Sequence, residues 1–247
     1  MLQSVRSETN VVQDLIEFSV AWLQERGYAL SVDVDMGAWA RKMSEAPSIA
    51  LVNPTFDPKF NSLSPDNSFW LDVRLGSHTI AMMASRHFFT DDYLELKRSM
   101  RLWYDPPRPG DTRLEITVPA DTPIIRGKVG HEGGLWVHPQ HRKRGLSVIL
   151  PHLNRALAFR QWNMDWQTGL PLRGVGESGI ATWAYGVPHV VPCFEGYFPM
   201  SRRLDRLFVA YMSRDEIVSG LDLDAVTGLL ADRYRQAGYP PALVQKR

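Results

Sequence analysis

The sequence predicts a single α/β (α+β) domain, and three observations support this prediction. Two runs of extended composition, 69–75 and 78–88, flank Gly76-Ser77, which suits the two-residue turn of a β-hairpin. Amphipathic helical stripes lie near both ends of the chain. Between them, an apolar strand at 133–138 leads through a glycine-containing loop into a helix. Strands and helices therefore alternate within one chain of 247 residues.

Composition and charge exclude several classes of protein. Hydrophobic residues make up 44% of the chain, too many for a disordered protein, and the formal charge of +1 lacks the broad basic excess of a nucleic-acid-binding protein. The single cysteine, Cys193, and the absence of clustered thiol and imidazole ligands predict no disulfide and no metal. Residues 1–10 have no signal-like apolar run. We expect a cytoplasmic protein with neither a nucleic-acid nor a membrane partner.

The N-terminal half is predicted to contain a helix, a long loop and the hairpin. Apolar residues at helical spacing over 10–26 predict a helix that Gly27 ends. Residues 46–68 are rich in Pro, Asn and Ser, which predicts a loop with one short strand at 49–52.

An insertion over 89–130 follows the hairpin. Thr90 is predicted to cap a helix that carries Asp91 and Asp92 in its first turn and ends near Tyr104. Alternating apolar residues over 113–118 predict a strand.

The C-terminal part is predicted to contribute a strand at 164–170 and two helices, at 177–185 and 222–237. The last helix has its apolar stripe at Val226, Leu229, Leu230 and Tyr234, and Gly238 and Pro240 end it. The stripe allows two arrangements: this helix packs on its own domain, or it packs on a second subunit and makes a homodimer.

The segment 133–160 contains the clearest signal for a binding site. The loop Arg142-Lys143-Arg144-Gly145 joins the apolar strand to a helix with apolar residues from Leu146 to Leu157. The N–H groups and the positive dipole end of that helix favour an anion. Residues 126–144 carry five basic residues and one acidic residue, a net charge of 5 − 1 = +4. Because P-loop and Rossmann signatures are absent, we expect a phosphate-bearing ligand of another kind.

The pattern Arg142-x-x-Gly145-x-Ser147 resembles the pyrophosphate-binding loop of the GNAT superfamily of N-acetyltransferases, and Val137-His138-Pro139 stands where the family has the end of a strand. The resemblance covers about 70–215. It departs from the family in Ser147, in Pro151 within the helix, which should kink it, and in the long span 89–130. It implies a mixed, largely antiparallel twisted sheet with a splayed strand pair, flanked by helices. Residues 69–215 would form the acyl-CoA core, with 1–68 and 216–247 as elaborations.

The implied activity is transfer of an acyl group, most simply acetyl, from acyl-CoA to a primary amine in a ternary complex. The acceptor is a small-molecule or peptide amine. Most of the eight Trp residues are expected in the core, with Trp103 and Tyr104 of the insertion as candidates for lining an acceptor pocket. Pantetheine would pair with the main chain of the strand, and the loop would hold the pyrophosphate. The donor-binding residues are then Leu135, Trp136, Val137, Arg142, Lys143, Arg144, Gly145, Leu146 and Ser147.

The resemblance also implies an acid and a base. Glu132 is our first choice for the base that deprotonates the amine, and His131 is the alternative; in a regular strand these neighbours point to opposite faces. Tyr185 is the candidate acid for the leaving thiolate, although strict family spacing falls on Thr182 or Trp183.

Two other functions fit the same residues. One is an acyltransferase of the same fold that uses a longer acyl donor. The other is a CoA-binding or interaction module without catalysis, in which Glu132, His131 and Tyr185 are ordinary structural residues.

Overall fold

The computed structural model describes residues 7–236, with side chains described through residue 232. A seven-stranded sheet in the order β1-β2-β3-β4-β5-β7-β6 forms its centre. Every neighbouring pair is antiparallel except β4 and β5, which are parallel. The strands are β1 Ala29–Asp33, β2 Ser68–Leu75, β3 His78–Thr90, β4 Gly127–Val137, β5 Trp166–Gly169, β6 His189–Phe198 and β7 Arg203–Ser213. The predicted mixed, largely antiparallel sheet is confirmed.

Helices cover both faces of the sheet. One face, the α4 face, packs against α1, α4, α7 and α8. The other, the insertion face, packs against α2, α3 and the chain between β3 and β4. The helices are α1 Glu8–Gln24, α2 Met36–Glu45, α3 Tyr93–Arg98, α4 Leu146–Trp162, α5 Arg173–Glu177, α6 Ile180–Trp183, α7 Arg214–Gly220 and α8 Leu223–Gln236.

Alternation along the strands assigns each side chain to a face. In β2, Phe69 and Leu71 join the core of the α4 face, whereas Trp70 between them packs on α2. β3 and β4 follow the same rule, so neighbouring residues in these strands face different layers. This alternation decides which side of the sheet each candidate catalytic residue reaches.

The predicted hairpin, the N-terminal helix and the loop-to-helix unit are all present. Gly76 has a positive φ of 60° at the hairpin turn, and Gly27, just after α1, has φ 74°. α4 continues through Pro151 to Trp162. Val226 and Leu230 of α8 are buried, and α8 contacts α1 and α4, so this helix packs on its own domain. The side chain of Tyr234 and the predicted helix end at Gly238 and Pro240 lie outside the described residues.

Two predicted strands are wrong. Residues 49–52 form no strand, with a bend at 50–51, and residues 113–118 have no regular secondary structure and do not join the sheet. The second segment makes single main-chain bonds to two different partners, from Leu114 N–H to Arg98 O and from Thr117 N–H to Cys193 O. Alternating apolar residues there bury Leu114 and Ile116 in the core without a ladder of strand bonds.

Three helix predictions need correction. Asp92 caps α3 by accepting from Leu94 N–H, while Thr90 Oγ1 accepts from Asp92 N–H inside the preceding turn. α3 ends at Arg98, well before Tyr104. The helix predicted at 177–185 is reduced to α6, Ile180–Trp183, because Gly179 with φ 71° separates it from α5, which ends at Glu177.

The N-terminal region contributes more than predicted. β1 extends the sheet by one strand, paired to β2, and α2 covers the insertion face. The inserted chain between β3 and β4 spans 91–126. Within residues 7–236, no helix combines the length and apolarity needed to cross a bilayer, and no group of His, Cys, Asp and Glu is arranged to hold a metal ion.

Candidate active site

The central feature of the site is an unpaired edge of β4. Pairing between β4 and β5 ends at Glu132 and Gly169, yet β4 continues to Val137 with β3 on its other side. The chain leaving β5 stays with β7, through a bridge between Leu172 and Leu207. In the described part of the chain, the edge formed by 133–137 therefore has no strand partner. β4 and β5 are a splayed pair.

A β-bulge shapes this edge. Gly133 lies opposite Ala84 and Trp136 opposite Met82, so β4 contains one extra residue there. Gly134 adopts φ +62°, and a Cβ on it would lie 2.5 Å from Cζ2 of Trp39. A bulge of this kind redirects the main-chain groups of the strand. The position therefore requires glycine both for its conformation and for its contact with Trp39.

The open edge leads directly into the basic loop. Residues 139–141 form a 3-10 turn, Lys143 has φ 64°, and Gly145 has φ 84° as the N-cap of α4. Arg142 Nε donates to Val137 O at 3.1 Å. Among the described residues, no side chain caps the first N–H groups of α4. These groups are donors for an anion at the end of the open edge.

Two helices outside the strand–loop–helix unit hold Gly145 in place. A Cβ at this position would lie 2.9 Å from Cζ2 of Trp22 in α1 and 3.2 Å from Cδ2 of Leu230 in α8. The side chains of Arg142, Lys143 and Arg144 are exposed, whereas Gly145 and Leu146 are buried. The loop thus presents charge outward from a backbone packed tightly underneath.

The mixed sheet, the splay of β4 and β5, and the glycine loop at the start of α4 are features that the resemblance implied. The fold is GNAT-like. The sequence matches no protein-family model and no curated protein. Solved structures of similar fold do occur.

Three of these structures illustrate the likeness. NAA60 from Arabidopsis thaliana in complex with acetyl-CoA is 9% identical, with a TM-score of 0.48 over 75% of this chain and 98% of that one. A spermidine N-acetyltransferase chimera from Vibrio cholerae and hSSAT is 8% identical, with a TM-score of 0.45 over 78% of this chain and 99% of that one. An aminoglycoside N(6')acetyltransferase from Legionella pneumophila is 9% identical, with a TM-score of 0.43 over 78% of this chain and 95% of that one. At these values, the GNAT-like assignment depends on this chain's own sheet.

Glu132 lies on the α4 face, at the last paired position before the splay. Its Oε1 accepts from Arg155 Nη2 at 3.2 Å, and both side chains are buried. Burial raises the pKa of Glu132, and the Arg155 charge opposes that rise. The Gln167 and Asn154 side chains are close enough to oppose the rise as well, although none of the described residues makes a hydrogen bond of full geometry to Glu132 Oε2. Glu132 is therefore a buried carboxylate that Arg155 anchors.

Tyr185 shares Arg155 with Glu132. The same Nη2 atom donates to the main-chain oxygen of Tyr185 at 2.9 Å. Burial, with the nearby Glu132 carboxylate, raises the pKa of the Tyr185 phenol to about 12. The structure therefore brings Tyr185 and Glu132 together on one face and keeps the phenol protonated. Thr182 is exposed and Trp183 is half-buried.

His131 lies on the opposite, insertion face. Its Nδ1 is 2.7 Å from Tyr93 Oη and 3.3 Å from Thr168 Oγ1, and Phe56 stacks on its ring at 5.7 Å. Burial, together with the charges of Lys97 and Arg86, lowers the pKa of His131 well below its usual value. His131 is thus a buried neutral imidazole. The predicted opposition of His131 and Glu132 across the sheet is confirmed.

Several residues of the site were not predicted. Arg155, Arg86 and Lys97 are buried cations within apolar patterns of a helix or strand, and this interruption of the pattern was the available signal. Conversely, Trp103 packs edge-on against Phe198 in the core and Tyr104 is also buried. Both are core residues in this structure, so the proposed pocket lining by them is wrong. Cys193 is buried as well.

Proposed function

We propose that the protein is an acyl-CoA-dependent N-acyltransferase that moves an acetyl group to a primary amine. One observation carries this proposal: an unpaired strand edge, 133–137, runs directly into an uncapped helix N-terminus surrounded by Arg142, Lys143 and Arg144. Acyl-CoA has the matching order of groups, with amides in its pantetheine arm next to a pyrophosphate. An extended chain with amides pairs with an open strand edge as a further strand would.

The donor-binding residues divide into two groups under this proposal. The main-chain groups of Leu135, Trp136 and Val137 bind the pantetheine arm. The basic side chains at 142–144, with the N–H groups of Gly145, Leu146 and Ser147, bind the pyrophosphate. Glycine is favoured there because L residues with side chains rarely adopt a φ of 84° and because a Cβ would lie 2.9 Å from Trp22.

The chemistry is a direct attack of the amine nitrogen on the thioester carbonyl. The C–N bond forms and the C–S bond breaks. Glu132 takes the proton from the amine, directly or through one water, and Tyr185 gives its proton to the departing sulfur. A carboxylate whose pKa is raised by burial is a stronger base than an exposed one, which favours Glu132 over the weakly basic His131. A main-chain N–H at the β4 bulge is available to polarise the carbonyl.

The surroundings of the bulge support a short acyl group. A Cβ at Gly133 would lie 2.9 Å from Cε2 of Phe56, and a Cβ at Gly134 would lie 2.5 Å from Cζ2 of Trp39. Trp39 and Phe56 are fully buried and pack edge-on against each other. These rings fill the insertion face beside the bulge, so the space favours two carbons over a long chain.

Donor binding is tested by thermal unfolding with acetyl-CoA, CoA and octanoyl-CoA. We expect acetyl-CoA and CoA to raise the melting temperature of the wild type, because a ligand that binds only the native state stabilises it. Arg142→Glu should abolish most of the shift. Arg160→Glu, the same charge reversal at the exposed far end of α4, should keep it. No shift in the wild type with any of the three would refute the proposal.

Catalysis is tested by release of free thiol from acetyl-CoA with a panel of primary amines. Glu132→Gln and Tyr185→Phe should each lower kcat by about 100-fold or more, while the acetyl-CoA-dependent thermal shift is kept. His131→Asn tests the alternative base. Acetyl-CoA binding without thiol release for any amine would instead identify a binding module.

A further inference from the structure

Four buried polar side chains surround Glu132 on the α4 face. Ser85 of β3 is its cross-strand partner, so the two side chains point to the same face. Asn154 and Arg155 are neighbours in α4, which packs on this face. Gln167 of β5 pairs with the residue two positions before Glu132, on the same side of β4. We call these five residues the Glu132 network: Ser85, Glu132, Asn154, Arg155 and Gln167.

The contacts within the network direct two amides toward the carboxylate. Asn154 Nδ2 donates to Ser85 Oγ at 2.6 Å, which holds the Asn154 amide beside Glu132. Gln167 lies flat over Gly130, because its Oε1 is 2.6 Å from where a Gly130 Cβ would be. Both amides are close enough to Glu132 to oppose the rise of its pKa. They therefore approach the carboxylate from two elements, α4 and β5.

The network is costly to bury. Ser85, Asn154, Arg155 and Gln167 are all buried. Within residues 7–232, Asn154 Oδ1, both polar atoms of the Gln167 side chain and Glu132 Oε2 make no hydrogen bond of full geometry. Apolar residues in these places would avoid that cost. Stability therefore gives no reason for so many polar groups here. Because Glu132 is the one carboxylate among the five, its charge is what the network can control.

Glu132 is the member of the network nearest the open edge. It is the last residue of β4 that pairs with β5, and residues 133–137 beyond it have no strand partner in the described chain. The Glu132 side chain is 8% exposed, whereas that of Arg155 is 0% exposed. The other members thus lie behind the carboxylate. They can act on a reaction at the splay through Glu132.

The other ionisable groups near Glu132 keep their charge near neutral pH. Arg155 supplies a positive charge from α4. Tyr185 stays protonated because burial raises its pKa to about 12, and His152, beside Arg155, stays neutral because burial lowers its pKa to about 3. His131 and the cations near it belong to the opposite face of β4. A change in the pKa of Glu132 therefore reports the network itself.

We propose that Asn154 and Gln167 are positioning residues for the base: their amide N–H groups stabilise the ionised Glu132 carboxylate and keep Oε2 directed at the open edge. The inference rests on the proposed N-acyltransferase function and deepens it by adding two residues that act through Glu132. Burial makes the carboxylate more basic, and hydrogen-bond donors favour its charged form. Together with Arg155, the two amides keep the buried base unprotonated until the amine arrives.

The first test is the pH dependence of kcat/KM for thiol release with one primary amine, whose own titration is common to all variants. Asn154→Leu and Gln167→Met remove the amides at similar volume, so the pKa of Glu132 should rise. Relative to the wild type, kcat/KM should fall about threefold or more on the acid side, with a smaller loss on the alkaline side. Gln161→Met, the same change at an exposed position of α4, should leave the profile unchanged. An equal loss at every pH, or no loss, would overturn the proposal.

The second test observes Glu132 without acyl transfer. In infrared difference spectra against pH, the C=O band of a protonated carboxyl that is missing in Glu132→Gln belongs to Glu132. Its midpoint should lie at higher pH in Asn154→Leu and Gln167→Met than in the wild type and Gln161→Met. Asn154→Ser and Gln167→Leu serve if the first variants do not fold.

The two proposals fail in different ways. An unmoved infrared midpoint would overturn the positioning role even if thiol release depends on Glu132. A moved midpoint in a protein that releases no thiol from acetyl-CoA with any amine would support the control of Glu132 by the network and refute the N-acyltransferase.

Discussion

The buried pair of Glu132 and Arg155 gives the sharpest prediction about the site. Arg155 is 0% exposed and its Nη2 lies 3.2 Å from Glu132 Oε1. At this separation, an effective dielectric constant of about 20 gives a Coulomb energy of about 5 kcal/mol. Arg155→Met removes this attraction and leaves the carboxylate buried without a counter-charge. We expect a loss of about 3–5 kcal/mol in the free energy of unfolding at pH 7.

The loss should depend on pH in a defined direction. Burial already raises the pKa of Glu132, and Arg155 is the main charge that opposes the rise. In Arg155→Met the pKa rises further above its unfolded-state value. A carboxyl with a raised folded pKa contributes stability that is full below its unfolded pKa of about 4.5 and is lost as the pH rises through its folded pKa. The deficit of the variant should therefore shrink as the pH falls from 7 toward 4.5.

The assay is urea unfolding of the wild type, Glu132→Leu, Arg155→Met and the double variant at several pH values. Each single variant leaves one buried charge alone, whereas the double variant leaves none. We expect the double variant to be more stable than the sum of the single effects predicts, with a coupling of up to about 3 kcal/mol. Additive effects, or a deficit of Arg155→Met that does not change with pH, would refute the pairing.

Three further predictions concern neighbouring residues. Because burial raises the pKa of Tyr185 to about 12, kcat should show no alkaline loss up to about pH 10, and Tyr185→Phe should lower kcat with little change in KM. Burial lowers the pKa of His152 to about 3. The free energy of unfolding should therefore fall as the pH drops below 6.5, by up to about 1.4 kcal/mol per pH unit. In urea unfolding, His152→Gln should reduce this dependence on pH. Gly186→Ala places a Cβ 2.6 Å from His152 Nε2 at a residue with φ +66°, and it should lower the free energy of unfolding by about 1–3 kcal/mol. The control Gly174→Ala, whose Cβ would have no atom within 4 Å, should not lower it.

Local signals in the sequence were enough for β2, β3, part of β4 and β5, and for the glycine loop before α4, whereas β1, β6 and β7 were not predicted. The hairpin and the strand–loop–helix unit each depend on a run of neighbouring residues and on a glycine with a positive φ, at Gly76 and Gly145. Such features are decided within about ten residues. The splayed pair came from the resemblance to GNAT proteins, since nothing in the composition of 133–137 shows that an edge stays open.

The wrong and the missing predictions have one physical cause, which is that long-range contacts decide these features. Residues 113–118 alternate like a strand, but their neighbours in space are Arg98 and Cys193 and do not form a ladder. The buried residues around His131 come from β3, α3, β4 and β5, four segments that no local pattern connects: Arg86, Tyr93, His131 and Thr168. The residues around Arg155 do not predict its partner, because Glu132 is 23 residues away in the sequence.

The two faces of the sheet divide the tasks of the proposed enzyme, and this explains the extra length of the chain. On the α4 face, the terminal helices α1 and α8 supply Trp22 and Leu230, which pack beneath Gly145 of the donor loop. On the insertion face, the residues between β3 and β4 supply Lys97, and the segment before β2 supplies Phe56 over His131. Because neighbouring residues of β4 reach opposite faces, Glu132 on the α4 face and His131 on the insertion face stand one residue apart at the start of the splay. Changes in the insertion should therefore alter acceptor choice without altering donor affinity, and changes in α1 or α8 should do the reverse.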